Sequence, residues 1–143
     1  MENKLMSLST LDNYPTETIG QDVLRYIALP DVLGPEKDTL LYFMGRNIAR
    51  KFELDSMDDI IYFFYTLKWG KLDIVKENKK HITLYLMADE IVERMRSSID
   101  IDFRLESGFI AESVFKVTGR PCECVETINE RLYRAEFKVH FMD

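Results

Sequence analysis

Ile19, Val23 and Ile27 recur at i, i+4 and i+8, the spacing of one helix face. Thr18-Ile19-Gly20-Gln21 has the form of a capping box, in which a threonine hydroxyl and a glutamine amide satisfy amides left free at a helix start. Pro30 is expected to end this first helix. Gly34-Pro35-Glu36 restarts the chain, with proline suited to the first helical position and Glu36 and Asp38 to the positive end of the dipole. Leu40, Met44, Ile48 and Phe52, widened by Leu41, predict the buried stripe of a second helix over about 36–53. Ser56 is placed to cap a third helix that Gly70 ends. Its run Ile60-Ile61-Tyr62-Phe63-Phe64-Tyr65 is apolar all round, so most of its faces are expected to be covered.

The period then falls to two. Leu72 and Ile74, then Ile82, Leu84 and Leu86, alternate with polar residues on either side of Asn78-Lys79-Lys80, which predicts a β-hairpin over about 71–88. A short helix is expected within 89–99. Leu105, Phe109, Ile110, Val114 and Val117 give a fourth long helix over 104–118. Gly108 and Ala111 leave room there for another backbone, and Gly119 and Pro121 supply the stop. Tyr133, Ala135, Phe137, Val139 and Phe141 form a one-sided strand whose partner runs from Cys122 to Ile128. The predicted fold class is α+β: three helices, hairpin, helix, hairpin, with a four-stranded antiparallel sheet packed against the helices. Residues 1–16 carry no period and read as a flexible lead-in to one domain over 17–143.

Composition narrows the function classes. A net charge of −6, with basic residues interleaved among acids, excludes a phosphate track and argues against nucleic acid as partner. No apolar run reaches the roughly 20 residues that span a bilayer. The opening residues lack the long apolar core of a signal peptide, so the expected location is the cytoplasm, with Cys122 and Cys124 as reduced thiols.

Candidate chemistry is sparse. Cys122-x-Cys124 with His81 and His140 makes four potential soft ligands. Zinc sites built from neighbouring cysteines use a Cys-x₂₋₄-Cys knuckle, however, so packed thiols are the first expectation and a metal or redox sensor the third-ranked function. Eight of the 17 aromatics fall between Tyr42 and Trp69. They build either a core with a dimer face or the wall of an apolar pocket. Glu112 is expected to face solvent. Arg46 and Arg50 are a like-charged i, i+4 pair that wants an acid between them, with Asp55, Asp58 and Asp59 as candidates and an anionic head group as the alternative. The six glycines are isolated, so no phosphate loop exists, and no catalytic constellation, metal site or cofactor is expected.

Two segments carry a family resemblance. Tyr42-Phe43-Met44-Gly45-Arg46-Asn47-Ile48-Ala49-Arg50-Lys51-Phe52 resembles the aromatic-x-x-Gly-Arg-x-x-small-Arg helix of 4-vinyl reductase–type domains. Phe103-Arg104-Leu105-Glu106-Ser107-Gly108-Phe109-Ile110-Ala111-Glu112 resembles their Gly-Phe-[Leu/Ile]-Ala helix. The chain is most similar to the YslB-like group of small uncharacterised bacterial proteins, over roughly 18–141. The resemblance implies the fold shared with transport protein particle (TRAPP) subunits and haem–nitric-oxide sensors, in which helices and sheet enclose an apolar channel and dimers are common. It does not carry the lipid-bearing cysteine of TRAPP subunits, since no cysteine precedes Cys122, nor the Tyr-x-Ser-x-Arg motif of the haem sensors. The expected function is a non-enzymatic, homodimeric assembly module with an apolar pocket, the alternative being a binder or sensor of a small hydrophobic ligand or lipid. Such a ligand would lie among Phe43, Met44, Phe63, Phe64, Leu67, Trp69 and Phe109, and the other expected partner is an unknown protein.

Overall fold

The computed structural model describes residues 7–11 and 18–143. The lead-in expected over 1–16 lies outside the described residues except at 7–11, where Leu8–Leu11 form a 3₁₀ turn. The first helical stretch comprises α1 (Ile19–Val23), a π-helical turn (Leu24–Ala28) and α2 (Leu29–Leu33). Pro30 therefore does not end the first helix. The wider turn before it, in which the Leu29 amide donates to Leu24 O, lets a residue without an N–H enter at the start of α2. Thr18 precedes α1, but its side chain makes no capping bond, so the capping box is not formed.

A 3₁₀ turn at Gly34–Glu36 leads into α3 (Lys37–Arg50). Then follow α4 (Met57–Thr66), β1 (Lys71–Glu77), β2 (His81–Met87), α5 (Asp89–Arg96), α6 (Arg104–Thr118), β3 (Cys122–Asn129) and β4 (Arg134–Phe141). Ser56 caps α4, its Oγ accepting from the Asp59 amide at 3.3 Å. Gly119 closes α6 in the left-handed region, at φ 73°.

The fold is α+β, as the alternating periods predict. The sheet is antiparallel throughout in the order β1-β2-β4-β3, so the two hairpins lie side by side with their second strands in the middle. One face, built by Leu72, Ile82, Leu84, Leu86, Ala135, Phe137, Val139, Cys122 and Cys124, is buried against the helices. Helix α6 is covered on every side from Glu106 to Val114 because it lies between the sheet and α3. Burying a side chain such as Phe109 contributes about 1.5–3 kcal/mol relative to leaving it exposed.

Helices α3 and α6 run parallel and touch through backbone. A methyl group on Gly45 would lie 2.0 Å from Leu105 O, and one on Gly108 would lie 1.9 Å from Tyr42 O. This contact rotates α3 away from the expected stripe. Its buried line is Leu41, Tyr42, Gly45 and Ala49, whereas Leu40, Met44 and Phe52 are exposed. Small residues win because close helix approach needs them at the crossing. Likewise α4 buries only Ile60, Phe63 and Phe64, and the hydroxyl-bearing Tyr62 and Tyr65 form an open face. None of the helices in the described residues is long and apolar enough to cross a membrane.

Candidate functional site

The outward side of the helical layer carries exposed apolar side chains. On α3, Leu40, Phe43 and Met44 are exposed, Phe43 by 55%. Followed by Asn47 they keep the i, i+3, i+4, i+7 spacing of a helix-packing seam, and none of the four is charged. On the first helical stretch Val23, Leu24 and Ile27 are exposed in the same way, Leu24 by 66%. Each seam faces outward because the opposite side of its helix is committed: α3 to α6 through the glycine contact, and α1 to the protein body through buried Asp22 and Tyr26.

The seven residues expected to surround a ligand separate into two groups. Phe63, Phe64, Trp69 and Phe109 form one ring cluster, with Phe63 stacked on Phe109 at 4.2 Å and four further pairs edge-on at 5.0–5.8 Å. Phe43, Met44 and Leu67 are exposed and take no part in that cluster.

The inner edge of α3 carries a charge network that sequence alone misplaces. Glu112 is buried, 6% exposed, rather than solvent-facing. Its Oε1 accepts from Arg46 at 3.0 Å and from Arg50 at 3.2 Å. Glu112 is thus the acid between the two arginines, and Asp55, Asp58 and Asp59 are not. Arg46 also donates to Cys122 O at 2.8 Å and pairs with Glu123 at 3.2 Å. The Tyr42 hydroxyl donates to Glu123 at 2.5 Å and accepts from the Cys124 amide at 3.0 Å. Burial and the Glu123 carboxylate together push the Tyr42 hydroxyl well above its ordinary range, so it stays protonated. At the end of α3, Lys116 donates to Ala49 O at 3.0 Å and to Phe52 O. Nothing in one sequence marks Glu123 or Lys116 or joins Tyr42 to Glu123, since each partner lies more than sixty residues away.

Both thiols are buried on the helix side of β3, and Cys122 Sγ lies 3.2 Å from Ala111 O. Burial pushes Cys122 up to about 11 and Cys124 further in the same direction. His81 and His140 pair across β2 and β4, and alternation from buried Val139 puts them on the opposite face of the sheet. The four soft ligands therefore cannot meet at one ion. Among the described residues no group of three or more His, Cys, Asp or Glu side chains converges to hold a metal.

A family model described as a protein of unknown function, DUF2507, matches residues 18–140. Over 125 residues the chain is 30% identical to the uncharacterized protein YslB of Bacillus subtilis (strain 168), covering 87% of this chain and 84% of that one. It is 22% identical over 107 residues to the uncharacterized protein MJ1642 of Methanocaldococcus jannaschii, covering 73% of this chain and 64% of that one. The crystal structure of a vinyl-4-reductase family protein from Methanocaldococcus jannaschii superposes with a TM-score of 0.61 at 15% identity, over 99% of this chain and 85% of that one. At that identity the likeness concerns the fold.

Proposed function

This chain belongs to the DUF2507 family of proteins of unknown function, and from that premise we propose that it is a non-enzymatic assembly module that pairs with a second copy of itself. The observation that carries this reading is the uncharged apolar seam on α3, Leu40, Phe43, Met44 and Asn47, with Val23, Leu24 and Ile27 on the first helical stretch. Two copies of a chain with a net charge of −6 repel wherever their charged faces meet, and this is a face they can share without opposing like charges. A two-fold pair would place each seam against its counterpart. Assembly is also the role that the resemblance to TRAPP subunits implies, and unbridged thiols fit a cytoplasmic location. The hydrophobic-ligand reading has less support, because Phe63, Phe64, Trp69 and Phe109 fill each other's ring faces.

Size-exclusion chromatography with light scattering tests the reading. The expected result is a particle of twice the 16.9 kDa chain mass, which Phe43→Glu combined with Leu24→Glu converts to a monomer with unchanged circular dichroism. A wild-type chain that stays monomeric from micromolar to near-millimolar concentration would overturn it.

A further inference from the structure

A second feature lies under the first helical stretch, away from the α3 seam. Asp22, Arg25 and Tyr26 face inward there, across from the end of α4 and from Arg94 on α5, around a cavity of about 360 Å³. Two ion pairs stand in its wall. Arg25 grips Glu106 with two bonds of 2.7 and 2.5 Å, and Arg94 Nε donates to Asp22 at 2.8 Å. Both carboxylates are buried. Buried pairs of this kind are weak sources of stability, because desolvation offsets most of their attraction.

The hydrogen-bond inventory of the wall is lopsided. Each oxygen of Glu106 accepts one bond from Arg25. Arg25 Nε is buried without an acceptor among the described residues. Among the described residues, the terminal nitrogens of Arg94, the Trp69 indole N–H and the Lys68 ammonium also make no hydrogen bond. On the acceptor side the lining offers Asp22 Oδ1 and the side-chain oxygens of Gln21 and Thr66. The lining holds three cations, Arg25, Lys68 and Arg94, and two acids, Asp22 and Glu106. Asp102 lies 4.0 Å from Arg25 but does not line the cavity. The backbone is unusual on both sides. Lys68 holds a left-handed conformation at φ 59°, rare for a residue with a Cβ, and the π-helical turn contributes Arg25 and Tyr26. Tyr26, Leu67 and Trp69 supply apolar surface beside the donors.

We propose that this cavity binds a small organic carboxylate, its charged end between Lys68 and Arg94 and its apolar or aromatic body against Tyr26, Leu67 and Trp69. An acceptor with a negative charge is the chemistry that unmatched donors and a surplus cation select. A bare phosphate would satisfy the donors but leave Leu67 and Trp69 without a contact. The site is independent of self-association, so either proposal can fail without the other.

Trp69 is the only tryptophan of the chain and lines this cavity, so its emission reports on binding there. The full chain is titrated with benzoate, with benzamide as a neutral molecule of the same shape, and with inorganic phosphate. Benzoate is expected to change the emission saturably, benzamide to bind about tenfold more weakly, and phosphate to leave the emission unchanged. Lys68→Gln should weaken benzoate about fivefold while the melting temperature holds, since Lys68 is exposed and makes no ion pair among the described residues. The proposal is overturned by no saturable response to benzoate, by equal affinity for benzamide or phosphate, or by a Lys68→Gln chain that binds benzoate unchanged.

Discussion

Glu112 sits where two arginines of another helix reach the same oxygen, and removing it would leave the largely buried Arg46 guanidinium with Cys122 O and Glu123 as its remaining strong acceptors. Glu112→Ala is expected to lower the urea-unfolding free energy by about 1–3 kcal/mol. Glu112→Gln should cost less, because an amide oxygen still accepts from Arg46. Arg50→Ala should cost under about 1 kcal/mol, since Arg50 is more than half exposed. The spacing of Arg46 and Arg50 announced that an acid was required. It could not say which, because Glu112 lies more than sixty residues on and reaches them only when α3 and α6 pack in parallel. Cys122 gives a second test at this scale. Its folded pKa of about 11 exceeds the ordinary 9.0, so the native thiol stays neutral at pH 8. A thiol reagent should label it slowly in the native chain and rapidly in urea. The sign of the linkage follows: an unfolded chain releases this proton first, so the thiol lowers stability as pH rises from about 9 through 11 and has no such effect below 9. A pH series of urea melts checks it.

Between elements, the crossing of α3 and α6 decides most of the packing. Gly45→Ala and Gly108→Ala should each destabilise by more than about 3 kcal/mol, because a methyl would overlap backbone that cannot move without separating the helices. Thermal unfolding of the two single variants measures this. The periods of the sequence located both hairpins and helix α6 well, since alternation over six or more residues has one structural solution. They failed at α3, where the larger apolar side chains pointed to Leu40, Met44 and Phe52 while the buried line runs through Gly45 and Ala49. Hydrophobic size predicts which face is greasy, not which face another backbone can approach. They failed again at Pro30, because a π-helical turn has no signature in a period of 3.6. The ring cluster was legible as an aromatic concentration, but whether rings enclose a space or fill it depends on angles between elements that no spacing encodes.

At the scale of the molecule, the proposed pairing through the uncharged helical face would make stability depend on concentration. If two copies share that face, the melting temperature should rise as protein concentration is raised and lose that dependence in the Phe43→Glu, Leu24→Glu chain. A scan over two decades of concentration would show it. The same molecule is guarded against another way of joining. An open sheet margin is a template on which any stray extended chain can pair, and the step repeats into fibres. On β3 the outward amide of Cys124 is taken by the Tyr42 hydroxyl and the outward carbonyl of Cys122 by Arg46. On β1 the register slips between Ile74 and Lys76, with lysines at 71 and 76. Both margins are thereby spoiled as templates for an endless ribbon.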